Sequence, residues 1–346
     1  MKLATRAGAI RAGILAGAFV FAVILCWLLL LRMPGRSYSG PAAALTEEEQ
    51  ETARRLEADV RHLAETLGPR AFEDAATLSS AALWVESRFA SIGYAATRQE
   101  FDAAGRTFTN VIAEIGGSTK ASEVVIIGAH YDTMFGPGAD DNASGVAVVL
   151  ALADALHGTK PERTLRFVAF TNEEPPSFWT EQMGSLVYAR SLNVRNEDVV
   201  AMLSVESIGY YSDEANSQKY PRPFSLFYPS TGNFVGFVGN VRSRSLTRQV
   251  VRRFRDEARI PSEGAALPGS VKIMGQPVGL QGIDWSDHWS FWQVGYPAVM
   301  VTDTAVFRNP WYHHVNDKPD TLDYRRMSLV TTGLEDVLRD LAAVPE

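Results

Sequence analysis

Cysteine is nearly absent from this chain: of 346 residues only Cys26 is one, and it lies inside an apolar run. A domain downstream of it has no disulfides and must rely on its core. Small residues are missing just before Cys26, where Val23, Ile24 and Leu25 stand, so a lipoprotein attachment box is excluded. Acids are missing from the first 36 residues, which carry Lys2, Arg6, Arg11, Arg32 and Arg36. Removing that +5 from the formal −7 leaves −12 on the rest. An acidic body lacks the basic face that nucleic-acid binding needs, which excludes nucleic acid as a partner. It suits divalent cations. Internal repeats and low-complexity tracts are lacking too, and the length allows one large domain or two small ones.

What the N-terminus has is a long hydrophobic run. Gly13 to Leu31 is 19 residues without a charge, bracketed by Arg11 and Arg32. At ~1.5 Å per residue it spans about 28 Å, close to the thickness of a bilayer core. Residues 1–36 are therefore expected to be a short tip and a single transmembrane anchor. The basic residues before the run favour a cytoplasmic N-terminus, with the rest of the chain periplasmic or extracellular. A cleaved signal peptide is the competing reading. Against it, the run is long for such a segment, no small-x-small site follows closely, and the alanines at 42–44 lie far downstream.

Residues 37–45 read as a linker, and 46–346 as one domain. Thr46 followed by Glu47, Glu48 and Glu49 marks a helix start, with acids complementing the dipole. That helix is expected to run to Leu67, and a second to cover Leu78–Ile92. Ala95–Phe101 and Thr107–Ile115 form a hairpin pattern about Ala103-Ala104-Gly105. Strand–helix alternation follows. Strands are expected at Glu123–Gly128, Thr164–Phe170, Val199–Val205, Phe224–Phe227 and Ala298–Thr302. Helices are expected at Gly145–Leu156, Met183–Leu192, Ser245–Glu257 and Arg326–Ala343. The pattern predicts an α/β fold with a mostly parallel, mixed sheet sandwiched by helices. Residues 260–280 have no clear period and read as an insertion able to cover a site.

Polar residues recur at the ends of these apolar runs, where such sheets bind ligands. They occur in the contexts Gly128-Ala129-His130-Tyr131-Asp132, Gly138–Gly145, Asn172-Glu173-Glu174-Pro175-Pro176, Leu203–Gly209 and Trp311–Asp317. His130 and Asp132 alternate on one strand, so both face the same side; one can ligate a metal while the other orients its ring. Asp140 and Asp141 are adjacent acids before an apolar helix and repel each other unless a cation lies near. A Gly/Asp turn capping the helix is the plainer alternative. Glu173 and Glu174 diverge in direction, so one can ligate while the other faces water. Glu206 ends a strand. Oxygen and imidazole donors of this kind suit zinc, and a metal pair makes a hydrolytic clamp.

These motifs, from Val124 to Tyr324, resemble the M28 family of zinc exopeptidases. The resemblance implies two zinc ions per chain, with Asp141 bridging them and a cis peptide after it. It implies His130 and Glu206 on one metal and Glu174 and His313 on the other, with Glu173 as general base. The family more often has Asp where Glu206 stands, and His314 competes with His313 as the ligand. Asp132 is expected to orient His130, and Tyr312 to stabilise an oxyanion. Trp285-Ser286-Asp287-His288-Trp289 resembles a family element near the site, which places Asp287, His288 and Trp289 as substrate contacts, or Asp287 and His288 behind the metal ligands. Trp285, Trp289, Trp292 and Trp311 suit either an apolar substrate pocket or the core. The expected activity is hydrolysis of peptide substrates at a chain terminus, most commonly as an aminopeptidase. A glutaminyl cyclase on the same fold and a non-catalytic receptor-like domain are the alternatives. The intact His130–Asp132 pair favours two metals and hydrolysis over the cyclase.

Overall fold

The computed structural model describes residues 6–273 and 276–345. An eight-stranded mixed sheet is its centre, in the order β1-β2-β4-β3-β5-β10-β6-β7. The strands are β1 (Thr97–Ala103), β2 (Arg106–Ile115), β3 (Lys120–His130), β4 (Arg163–Phe170), β5 (Asp198–Glu206), β6 (Val235–Asn240), β7 (Ser262–Leu267) and β10 (Ala298–Thr302). A separate hairpin joins β8 (Val271–Ile273) to β9 (Gln276–Val278). Strands β4, β3, β5 and β10 run parallel to one another in the middle. The β1–β2 hairpin is antiparallel at one edge, and β6 with β7 runs antiparallel to β10 at the other.

Side chains on the central strands alternate between two buried faces. Val125, Ile127 and Ala129 of β3 enter the larger core, and Val124 and Ile126 the smaller one. The larger face is covered by α2 (Glu47–Arg61), α3 (Ala75–Ile92), α4 (Gly145–Leu156), α6 (Arg244–Glu257) and α8 (Tyr324–Leu341). The smaller is covered by α5 (Gly184–Val194) and α7 (His288–Gln293). The helix starts follow the sequence signals. Thr46 caps α2 through a capping box with Glu49, at 2.8 and 3.2 Å. Asp74 caps α3 by accepting the Thr77 N–H at 3.0 Å.

Two expectations fail. Phe224–Phe227 is not a strand: Phe224–Leu226 is a single 3-10 turn. The next strand is instead β6, which the sequence reading passed over. Residues 260–280 are not all insertion either, because Ser262–Leu267 is the edge strand β7, paired in parallel with β6. Residues 274–275 of that stretch lie outside the described residues.

The N-terminal apolar run is α1 (Arg6–Cys26), continued as a π-helical turn over Trp27–Leu31. Gly13–Leu31 has a mean hydropathy of 2.9 and none of it is buried, so it is long and apolar enough to cross a membrane. Its end touches the domain: Leu30 and Leu31 pack with Ala265, Leu267 and Ile283. The following backbone is tied down by Arg248 to the Arg32 carbonyl at 2.7 Å and Arg255 to the Pro34 carbonyl at 3.1 Å. The stretch read as a linker is also held, by Ser37 Oγ accepting the Ser262 N–H at 2.8 Å and Arg259 reaching the Ala44 carbonyl at 2.9 Å.

Candidate metal centre

The carboxyl ends of β3, β4 and β5 converge on one buried cluster. His130 is the last residue of β3 and Glu206 the last of β5, while Glu173 and Glu174 follow β4 by a short turn. Asp141 lies in the turn leading into α4, and His313 comes from the loop beyond β10. Left-handed backbone lies beside or at three of these points, at Asn172, Ser207 and His313. It is uncommon for non-glycine residues and concentrates where side-chain direction matters for function.

Two triads result. His130 Nε2 lies 3.2 Å from Asp141 Oδ1 and 3.2 Å from Glu206 Oε2. His313 Nε2 lies 3.0 Å from Asp141 Oδ2 and 3.2 Å from Glu174 Oε1. Asp141 therefore gives one oxygen to each triad. His130 Nε2, Asp141 Oδ1, Glu174 Oε1 and His313 Nε2 are buried and have no hydrogen-bond partner. Buried polar atoms are rarely left so, because desolvation goes uncompensated. A tetrahedron with ~2.0–2.1 Å zinc–ligand bonds has edges of about 3.3 Å, so each triad has the donor set and spacing for a zinc ion. The residues fit the metal pair that the family resemblance implies.

The surroundings hold these donors in place. Asp132 accepts the N–H of Glu173 at 3.1 Å and of Glu174 at 3.0 Å, and its carbonyl lies 3.2 Å from His130 Nδ1. Ser286 and Ser207 donate to Glu206 at 2.8 and 3.1 Å. The Asp141–Asn142 peptide is cis, as the resemblance implied. Asn142 ties that turn to β5 by donating to the Val205 carbonyl at 2.8 Å and accepting the Ser207 N–H at 3.2 Å. Gly145 is needed there, because a Cβ would fall 2.3 Å from Asn142 Oδ1 and 2.7 Å from the Val205 carbonyl.

Charge crowding shows in the titration of the cluster. Burial pushes Glu173 well above the ordinary carboxyl range; His130 opposes this, and Glu174, Glu206 and Asp287 add to it. Burial and the Asp141 charge push Glu174 up to about 7, against His313. Burial lowers His313, but Asp141 and Glu174 outweigh it and raise the imidazole to about 10. Asp141 is held below its usual value because the two imidazoles outweigh its burial.

The other expected site residues divide. Tyr312 stacks on His313, with ring centroids 4.0 Å apart, and lines a cavity together with Glu206. Asp287 is fully buried, near enough for its charge to raise Glu173, and both its carboxylate oxygens lack partners. His288 and Trp289 do not line that cavity. His288 is fully buried, donates to the Ile283 carbonyl at 2.7 Å and meets Trp292 edge-on. Trp289 packs with Met183 and Leu186 in a core cluster. Of the tryptophans considered for a pocket, Trp285 lines the cavity. His314 is exposed and accepts the Asn316 N–H at 3.2 Å, so His313 is the one in the cluster.

Sequence reasoning missed several supporting groups. Asp317 accepts the N–H of Asp140 at 2.9 Å and of Asp141 at 3.0 Å. Asp140 points away from the triads, accepting from Gly209 N–H at 2.8 Å and Asn309 at 2.7 Å. Both lie inside the quoted motifs, so the signal was present but unassigned. Arg70 is fully buried and ties down the segment bearing Asp132, and its Gly68-Pro69-Arg70 context carries no motif.

Comparison with known proteins places the chain further. The profile of Peptidase family M28 matches residues 110–337. An uncharacterized Escherichia coli (strain K12) protein, YfbL, is 36% identical over 325 residues, covering 91% of this chain and 96% of its own. A probable leucine aminopeptidase of Arthroderma otae is 28% identical over 232 residues, covering 63% of this chain and 52% of its own, so that match spans about half of the relative. Among solved structures, LapB of Legionella pneumophila superposes with a TM-score of 0.66 at 19% identity, covering 90% of this chain and 78% of that one. BSAP, a zinc aminopeptidase from Bacillus subtilis, gives 0.63 at 14% identity, covering 85% and 95%. The Fimbriiglobus ruber glutaminyl cyclase gives 0.59 at 18% identity, covering 87% and 97%. At these identities the structural likeness is one of fold.

Proposed function

This chain belongs to peptidase family M28 and is a metallopeptidase, and on that premise we propose that it removes single residues from the amino terminus of peptides with two zinc ions. The observation that carries this reading is the pair of triads sharing Asp141, with four buried donor atoms that lack any other partner. His130 and Glu206 would hold one zinc and Glu174 and His313 the other, with Asp141 between them. Bound there, the metals would supply an acidified water and polarise the scissile carbonyl.

The remaining steps belong to the protein. Glu173 lies beside the His130 triad, its Oε2 4.0 Å from His130 Nε2, yet it is part of neither triad. It takes the proton from the attacking water and returns it to the leaving amine. Its burial favours the protonated form needed for the second step. Asp132 fixes the backbone of both glutamates and the ring of His130. Tyr312 donates its phenol hydrogen to the developing oxyanion. The uncharged run Gly13–Leu31 supports a single membrane anchor, with residues 46–346 as an extracytoplasmic catalytic domain.

The test is mass spectrometry of a mixed peptide set incubated with zinc-loaded protein. Stepwise loss from free N-termini alone supports the aminopeptidase. Loss from the other end makes it a carboxypeptidase. Loss of ammonia from an N-terminal glutamine peptide alone makes it a cyclase. In Glu173→Gln, kcat falls by about 10²–10⁴ while the zinc content stays at two per chain. Unchanged kcat would remove Glu173 from the role of base.

A further inference from the structure

Beyond Glu206 and Tyr312, a largely apolar cavity of about 130 Å³ opens along the sheet. One row of the sheet forms its floor. Glu206 of β5 pairs with Thr302 of β10, Thr302 with Gly236 of β6, and Gly236 with Glu263 of β7. In-register neighbours point to the same face, and all four residues line the cavity. Three strand spacings of ~4.8 Å separate the ends, so the backbones of Glu206 and Glu263 lie about 14 Å apart. Between them the floor is a threonine and a glycine, which leaves room for a side chain to lie across it.

Glu263 is the anomaly of this cavity. It is half-buried at the far end of an aromatic chamber, and its ion-pair partner among the described residues is Arg255 Nη2 at 3.8 Å. That is beyond hydrogen-bond reach. Arg255 is already spent on Ser262 Oγ at 3.0 Å, the Ser262 carbonyl at 2.6 Å and the Pro34 carbonyl at 3.1 Å. Nearby, the rings of Tyr220 and Tyr228 stack at 5.8 Å. Their hydroxyls are engaged by the Pro229 and Gly264 carbonyls at 2.7 and 2.9 Å. The chamber therefore offers π faces and one under-partnered carboxylate, the combination that attracts a cation on an apolar stem.

Resting on the aminopeptidase reading, we propose that this cavity receives the side chain of the substrate's N-terminal residue and that Glu263 selects lysine or arginine over leucine, methionine or phenylalanine. The metal triad that includes Glu206 fixes the reacting end. A long aliphatic stem crosses Thr302 and Gly236, and the cationic end meets Glu263 beside the paired rings of Tyr220 and Tyr228. Leucine is too short to reach Glu263 and leaves that half-buried carboxylate with Arg255 3.8 Å away.

The experiment compares lysyl, arginyl, leucyl and methionyl anilides as substrates of the zinc-loaded full chain, with Glu263→Gln and Glu263→Leu alongside. The ratio of kcat/KM on two substrates within one preparation does not depend on the fraction folded. In the unsubstituted protein the lysyl-to-leucyl ratio exceeds one by roughly tenfold or more, the size of a charge-assisted hydrogen bond. It falls by that factor in Glu263→Gln and inverts in Glu263→Leu. A preference for leucyl or methionyl substrates in the unsubstituted protein, or a ratio unmoved by Glu263→Gln, overturns the proposal. Calorimetric binding of lysine amide and norleucine amide separates this from the parent reading. If no anilide is cleaved, the aminopeptidase reading fails by itself. The pocket assignment then stands if lysine amide binds more tightly in a Glu263-dependent way, and falls if it does not.

Discussion

The carboxylate of Asp132 holds Glu174 by its backbone, accepting that residue's N–H at 3.0 Å, while its other oxygen accepts the N–H of Glu173 at 3.1 Å. One side chain thus sets the direction of a candidate zinc ligand and of the candidate base. Asp132→Asn changes little in size but turns one oxygen into a donor that faces an N–H. Zinc affinity is expected to fall by about 10–100-fold, as for other groups that orient metal ligands. Zinc titration against a competing chelator measures this. An affinity equal to that of the unsubstituted protein would show that the turn after β4 holds itself.

Neighbouring histidines in the loop after β10 give a sharper comparison. His313 Nε2 sits 3.0 Å from Asp141 and 3.2 Å from Glu174, whereas His314 is exposed. His313→Ala is expected to lose one zinc of two and most activity. His314→Ala is expected to keep both. Metal analysis after gel filtration decides between them, and the reverse result would exchange the two residues.

Most of the sheet was legible because its central strands are buried on both faces. Val124–Ile127, Phe167–Phe170 and Val299–Val301 read as continuous apolar runs for that reason. β6 and β7 were not legible, because glycines interrupt them. Gly239 and Gly264 are small because α6 and the N-terminal segment pack so closely: a Cβ on Gly239 would fall 2.0 Å from Thr247 Oγ1, and one on Gly264 2.9 Å from Met33. The aromatic Phe224–Phe227 run imitated a strand, but Phe224 serves the wall of the cavity while Leu226 and Phe227 are exposed. At the site, ligand-type residues announced themselves at strand ends. Arg70 and Asp317 act through backbone groups distant in sequence, and such contacts leave no local pattern.

His288 gives the fold a pH dependence. Burial lowers its imidazole to about 4 from 6.5, against the hydrogen bond to Ile283. Between these values the unfolded chain binds a proton that the folded chain refuses, so stability falls as pH drops from 6.5 towards 4. His288→Gln keeps a donor for the Ile283 carbonyl and removes the titration. In urea unfolding of chelator-treated protein, the loss on going from pH 7 to pH 5 is expected to be roughly 2 kcal/mol larger with histidine than with glutamine. Removing the metal from both proteins keeps its release out of the comparison. Equal losses would mean that the ring takes up its proton without unfolding.

Arg70 links the N-terminal helices to the metal-bearing turns. Fully buried, it donates to the carbonyls of Tyr131 at 2.6 Å, Leu63 at 2.7 Å, Gly68 at 2.9 Å, Pro137 at 2.8 Å and Gly138 at 3.0 Å. Its backbone N–H donates to Thr133 at 2.9 Å. The acceptors at 131, 137 and 138 lie between His130 and Asp141, so the guanidinium shapes the loop that joins the two triads. Burial pushes its pKa down to about 10, with Asp132, Asp317 and Asp141 acting in the other direction, so it remains charged at neutral pH. Arg70→Met fills similar space but takes a donor away from five carbonyls. The expected cost is about 3 kcal/mol or more, since bonds to a charged donor are the stronger class. Urea unfolding of the zinc-loaded protein reads that cost. Zinc affinity is expected to fall in the same variant, because the loop no longer holds Asp132 and Gly138 in place. A variant that unfolds earlier yet binds zinc as tightly as the parent would confine Arg70 to the packing of α2 and free the loop from it.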